Sequence, residues 1–123
     1  MSKIFLSVII PAYNEKNNFQ NGALTKVSQY FQNFPKDYEV IIVDDGSNDN
    51  SPDLIAKFCQ NNKNFRLIKN KHMGKAGTVA RGVTEAKGEY ILFSDFDQAT
   101  PISEWEKLYP YLQKKYHVVI GSR

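Results

Sequence analysis

Apolar positions along the chain fall into two alternating patterns. Ile4–Ile10, Val40–Val43, Phe65–Ile68, Tyr90–Phe93 and His117–Ile120 are short runs rich in β-branched and aromatic residues, which predict strands. Ile4–Ile10 is apolar on both faces, as a central parallel strand covered by helices requires. Phe65–Ile68 is brief and flanked by Lys and Asn, which places it near a sheet edge. Between these runs, apolar residues recur at helical spacing. Leu24, Val27, Phe31 and Phe34 make one stripe, halted by Pro35. Leu54, Ile55, Phe58 and Cys59 make a second, started by Ser51 as N-cap and Pro52 at the first helical position. Val79, Ala80, Val83 and Ala86 make a third, with Gly88 where a C-terminal cap belongs; Trp105, Leu108, Tyr109 and Leu112 make a fourth after Pro101. This alternation predicts an α/β fold with a mostly parallel sheet between helices.

Composition narrows the class. With 123 residues, 41% hydrophobic and 24% charged, the chain has the size and make-up of one domain, spanning 1–123, with a single core. Its one cysteine, Cys59, lies on a core stripe and has no partner for a disulfide or a zinc site, which fits a reducing, cytoplasmic setting. The N-terminal apolar run is broken by Pro11 and Asn14-Glu15 with no cleavage site, so it reads as a buried strand and not a signal peptide. No apolar run approaches the ~20 residues of a membrane-spanning helix. The net charge of +3 is spread along the chain, and small clusters at Lys69-Asn70-Lys71 and Lys114-Lys115 read as a solvated face, with no nucleic-acid partner.

In an open parallel sheet, ligands bind beyond the carboxyl ends of the strands, so the polar residues after each strand are the informative ones. They are Pro11-Ala12-Tyr13-Asn14-Glu15, Asp44-Asp45-Gly46-Ser47, Asn70 through Gly77, and Asp95-Phe96-Asp97. Alternate residues leaving a strand can aim Asp95 and Asp97 at one hard cation, Mg²⁺ or Mn²⁺, whose shell substrate phosphates and water complete. A carboxylate of the Asp44-Asp45 loop suits a nucleobase or ribose hydroxyls. Gly74-Lys75-Ala76-Gly77 precedes a helix whose free N–H groups favour an anion, though the spacing is not that of a P-loop. Arg81 and Arg123 are each a phosphate ligand or a surface cation. His72 and His117 lack partners at metal-ligand spacing and read as structural or surface residues.

Taken in order, Ser7 through Glu15, Val40 through Ser47, Gly74 through Gly77 and Asp95-Phe96-Asp97 resemble the family 2 glycosyltransferases of the GT-A fold, a Rossmann-like nucleotide-diphospho-sugar transferase architecture. Ala99-Thr100-Pro101 and Val119-Ile120-Gly121-Ser122-Arg123 resemble the dolichyl-phosphate and polyprenyl-phosphate hexosyltransferase branch. The resemblance implies a nucleotide-sugar pocket lined by Pro11, Ala12, Tyr13, Glu15, Asp45, Gly74, Lys75 and Asp95. It implies a Mg²⁺ or Mn²⁺ ion on the catalytic pair Asp95 and Asp97, and Arg123 near an acceptor phosphate. Two positions depart from the pattern: Phe96 replaces a small residue inside the acidic pair, and Ala99 stands where some relatives have a metal-holding Gln.

The implied reaction moves a hexose from a UDP-glucose- or GDP-mannose-type donor to an acceptor hydroxyl or lipid phosphate, with peripheral membrane association of a full-length protein. The chain reads as the donor-binding portion of a larger fold, so a nucleotide-sugar-binding module without catalysis is the alternative. A sugar-phosphate nucleotidyltransferase would need a Gly-rich phosphate loop after the first strand, which is not seen.

Overall fold

The computed structural model describes residues 3–107, 109–112 and 118–120. Its elements run β1 (Leu6–Ala12), α1 (Lys16–Gln20), α2 (Ala23–Phe31), β2 (Tyr38–Asp45), α3 (Ser51–Gln60), β3 (Phe65–Asn70), α4 (Gly74–Glu85), β4 (Tyr90–Phe93), a 3₁₀ helix (Ile102–Lys107), α5 (Tyr109–Leu112) and β5 (Val118–Ile120). The five strands form one parallel sheet in the order β3-β2-β1-β4-β5. The helix-flanked parallel sheet and the edge position of β3 follow the predicted pattern. From β1 the chain winds outward through β2 to β3, then crosses back to place β4 on the other side of β1. The strand order therefore reverses at the β1–β4 seam, and that reversal opens a crevice at the carboxyl edge.

Both faces of the sheet are buried, which is why the middles of β1 and β2, Val8–Ile10 and Val40–Val43, are apolar on both sides. Leu6, Val8, Ile10, Val40 and Ile42 pack with Leu24, Val27, Phe31, Ile55 and Trp105 on one side. Ile9, Ile41 and Val43 pack on the other with Ile68, Ala86, Ile91 and Phe93. Each such side chain contributes about 1.5–3 kcal/mol by leaving water.

Several boundaries differ from the sequence reading. β1 runs two residues further, so Pro11 and Ala12 still pair with Val43 and Asp44. The short α1 was not predicted; it is five residues long and buries none of them, so it leaves no periodic trace. α2 stops at Phe31, and Phe34 folds back with its N–H on the Phe31 carbonyl at 3.1 Å to join the rings of Phe5, Phe31, Tyr38 and Trp105. Asn50, not Ser51, is the N-cap of α3; Ser51 is buried in the first turn and donates its hydroxyl to Asp49 Oδ1 at 2.6 Å.

The buried face of α4 is Thr78 and Gly82, while Ala80 is exposed. A Cβ on Gly82 would fall 2.4 Å from Ile9 Cγ2, so the helix backbone itself is the contact surface. Gly88 does not cap α4, whose C-cap is the extended Ala86. Its N–H donates to Ser7 Oγ at 2.8 Å, and a Cβ there would lie 2.5 Å from that oxygen. The fourth helical segment is split into a 3₁₀ helix, which buries Ile102 and Trp105, and the short α5. Leu108, Lys114, Lys115 and His117 lie outside the described residues. Among those described, no helix is long and apolar enough to cross a membrane.

Candidate functional site

The loops at the carboxyl edge are tied to one another before any ligand is considered. Asn14 takes a left-handed φ of 51°, which its short polar side chain tolerates. Its N–H donates to Ser47 Oγ at 2.8 Å, and its Oδ1 accepts the Asn48 N–H at 2.7 Å, so the loops after β1 and β2 are joined. Asp44 folds its own turn, with Oδ2 accepting the N–H groups of Gly46 at 3.1 Å and Ser47 at 3.0 Å. Gly46 has φ 77°, and a Cβ on it would meet the His72 backbone nitrogen at 2.9 Å. Only glycine lets the loops after β2 and β3 approach this closely.

Asp45 serves a different purpose from its neighbour. Strand alternation turns it towards the start of α4, where Oδ1 accepts the Met73 N–H at 2.6 Å and Oδ2 the Gly74 N–H at 3.1 Å. His72 Nδ1 lies 3.0 Å from Oδ2. Burial works against the ionised form, but the Met73 N–H, the Thr78 hydroxyl, the His72 ring and the Gly74 N–H outweigh it and hold the Asp45 carboxyl below its ordinary range. The helix N-terminus expected to receive an external anion is thus bound first by Asp45.

The acidic pair leaves β4 in a turn and not as a continuing strand. Gln98 N–H donates to the Asp95 carbonyl at 3.2 Å, closing a four-residue turn whose second residue, Phe96, is 3% exposed and packs in the core. The bulk of Phe96 is therefore taken up by the interior, and Asp95 and Asp97 both face the cleft. Asp95 Oδ1 pairs with Lys75 Nζ at 3.0 Å, while Asp97 Oδ1 accepts the Ala99 N–H at 2.9 Å. Glu15 completes the acidic lining; burial pushes its carboxyl up, more than the Asn18 amide bond at 2.8 Å pulls it down.

These residues enclose one cleft of about 460 Å³. It brings together Pro11, Ala12, Tyr13, Glu15, Asp45, Gly74, Lys75, Asp95 and Asp97. Asn18, His72, Thr78 and Phe96 line it too, and the sequence had not marked them for it. His72, read as structural or surface, lies with its ring tilted by 47° against the exposed Tyr13 ring, the centroids 5.2 Å apart. No motif flags it; the parallel register of Asp45 with Asn70 brings it there. Arg81 is held by Asn70 at 3.0 Å and Glu85 at 3.6 Å, away from the lining. Arg123 lies outside the described residues.

Among the described residues no group of three or more His, Cys, Asp and Glu side chains could hold a metal. Two facing carboxylates fit part of the all-oxygen shell of Mg²⁺ or Mn²⁺, the rest falling to phosphate and water.

The sequence profile described as glycosyl transferase family 2 matches residues 7–123. A dolichyl-phosphate beta-glucosyltransferase of Saccharomyces cerevisiae is 36% identical over 98% of this chain and 41% of its own. The Homo sapiens protein of the same name is 37% identical over 84% of this chain and 34% of its own. The chain thus spans about two-fifths of the yeast relative. Among solved structures, a mannosyltransferase from Pyrobaculum calidifontis in complex with GDP-Man and Mn²⁺ matches with TM-score 0.66 and 27% identity, over 77% of this chain and 28% of that one. S. aureus TarS 1-349 in complex with UDP matches with TM-score 0.68 and 26% identity, over 90% and 32%.

Proposed function

Since the chain belongs to glycosyl transferase family 2, we propose that it forms the donor-binding part of a hexosyltransferase that uses a nucleoside-diphosphate sugar and a polyprenyl or dolichyl phosphate acceptor. The observation that carries this reading is the gathering of Tyr13, Glu15, Asp45, Lys75, Asp95 and Asp97 in one cleft at the β1–β4 reversal. Tyr13 offers a ring face to a nucleobase, and Asp45, which lines the cleft, suits a base N–H or ribose hydroxyl. Lys75, its side chain 72% exposed at the cleft, suits a diphosphate.

Four carboxylates against Lys75 and His72 give the cleft an excess of negative charge, which repels a diphosphate. A divalent ion held by Asp95 and Asp97 would offset that repulsion and stabilise the departing nucleoside diphosphate. In the transfer, the bond from the anomeric carbon to the diphosphate oxygen breaks and a bond to an acceptor oxygen forms. A lipid phosphate is already anionic, so this acceptor needs little help from a base. Such an acceptor would bring the full-length protein to a membrane surface.

UDP-glucose, GDP-mannose, UDP and GDP titrated calorimetrically with and without Mn²⁺ test this reading. Binding of one nucleotide series that strengthens with Mn²⁺ is expected; no binding under any condition overturns it. The share of the relatives' length that the chain spans favours a second reading, a donor-binding module that needs further residues for catalysis. Sugar transfer by this chain to a polyprenyl phosphate would exclude that second reading.

A further inference from the structure

Gln98 is the one position beside the acidic pair that carries two structural costs at once. Its φ of 57° lies in the left-handed region, unfavourable for a residue with a long side chain. Its side chain is enclosed, the residue being 8% exposed, and among the described residues Oε1 has no hydrogen-bond partner. Glycine would meet the backbone requirement without either cost.

The other end of the amide shows what the side chain does. Nε2 donates to Ser94 Oγ at 2.7 Å and to the Asp95 carbonyl at 2.7 Å. The Asp95 carbonyl also takes the Gln98 backbone N–H, so one residue closes the acidic turn twice. Ser94, itself 7% exposed, donates its N–H to the Ile9 carbonyl at 3.0 Å, which fixes the clamp to β1. A continuous set of bonds thus runs from the central strand through Ser94 and Gln98 to the backbone between the two carboxylates.

We propose that Gln98 is a positioning residue: its side-chain amide locks the Asp95-Phe96-Asp97 turn so that both carboxylates are held ready for a divalent ion and a nucleoside diphosphate. It acts through Asp95 and Asp97 without touching the ligand. The inference rests on the donor-site reading above and deepens it.

Two variants test it. Q98G removes the clamp and relieves the left-handed backbone, whereas Q98M keeps length and removes both N–H donors, so a readout survives if either fails to fold. Mn²⁺ binding is followed by electron paramagnetic resonance with UDP and with GDP, beside thermal melting and amide hydrogen exchange. Q98G is expected to lower Mn²⁺-nucleotide affinity about 10-fold, the scale of a lost outer-shell ligand partner. Its melting temperature should stay level or rise, and exchange should quicken at residues 95–99. S94A should cost less, and nothing further when added to Q98G. Parent-like affinity in Q98G and Q98M, or purely additive effects of S94A and Q98G, overturns the proposal while the donor site stands. If the parent chain binds neither Mn²⁺-nucleotide, the donor-site reading falls and this inference with it.

Discussion

At the amino edge of the sheet, Glu39 is 7% exposed and its carboxylate is enclosed by partners. Oε2 accepts the Ser7 hydroxyl and the Lys87 N–H, each at 2.6 Å, and Arg66 approaches Oε1 at 3.8 Å. At the carboxyl edge, among the described residues, Asp95 and Asp97 meet one lysine and one backbone N–H between them. The same chemical group joins elements together at one edge and keeps acceptor positions open at the other. Asp44 and Asp45, adjacent in sequence, stand between these extremes: the first is spent on its own turn, the second mostly on α4. What separates a ligand-binding carboxylate from a structural one is therefore the number of its lone pairs already engaged, not its acidity or its place at a strand end.

The largest expected effect breaks the contrast from the open side. Asp95→Asn with Asp97→Asn should weaken Mn²⁺-dependent nucleotide binding at least ~100-fold, the upper end of losses seen when metal sites lose a supporting group, with little change in melting temperature. Calorimetric titration beside thermal melting checks both parts. Glu39→Ala should do the reverse. Leaving Ser7, Lys87 N–H and Arg66 without their acceptor costs about 3 kcal/mol of stability, read as a lower urea midpoint, while nucleotide affinity in the folded protein stays at the parent value.

Lys75→Met sharpens the comparison with a smaller shift. The Lys75–Asp95 pair is exposed, so breaking it is worth at most ~1 kcal/mol. Mn²⁺ alone should then bind up to about fivefold more tightly because Asp95 is freed. Nucleotide diphosphate should bind less tightly in the same protein, and an opposite pair of signs would show that Lys75 faces away from the diphosphate.

The smallest effect is a pH dependence. Asp45 is held below its ordinary value, and so is Asp49, chiefly by the Ser51 hydroxyl. A depressed carboxyl adds stability that is fully present above its unfolded pKa, ~3.9, and is lost as pH falls through the lower folded value. Urea midpoints should therefore decline below about pH 4. Asp49→Asn should flatten that decline, whereas a parent-like slope in the variant would contradict the assignment.

Much of this arrangement is legible in the sequence. The run Ile4–Ile10, apolar on both faces, marks a central parallel strand because only a strand covered twice needs it. The order of the polar loops marks the carboxyl edge. The seat of α4 is not legible, because Gly82 makes contact by having no side chain and so contributes nothing to an apolar stripe. Composition and turn chemistry do not separate Asp44 from Asp45, since that division depends on which face each takes as β2 ends; the family resemblance is what singles out Asp45. The roles of His72 and Gln98 stay hidden for the same reason: each is set by a partner far along the chain or by a turn geometry, and neither by local composition.

The β1–β4 seam that opens the crevice also bears on the order of assembly. Leu6 pairs with Tyr38 on one side and with Tyr90 on the other, so the second pairing closes a much longer loop. Closing longer loops costs more chain entropy before contacts repay it, and such pairings form slowly. β1, β2, β3 and the start of α4 can thus assemble with Tyr13 and Asp45 in place before the acidic turn is fixed. On this view the acidic half of the cleft arrives with the docking of β4, and a nucleotide meets a finished site only after the slowest pairing of the sheet is complete.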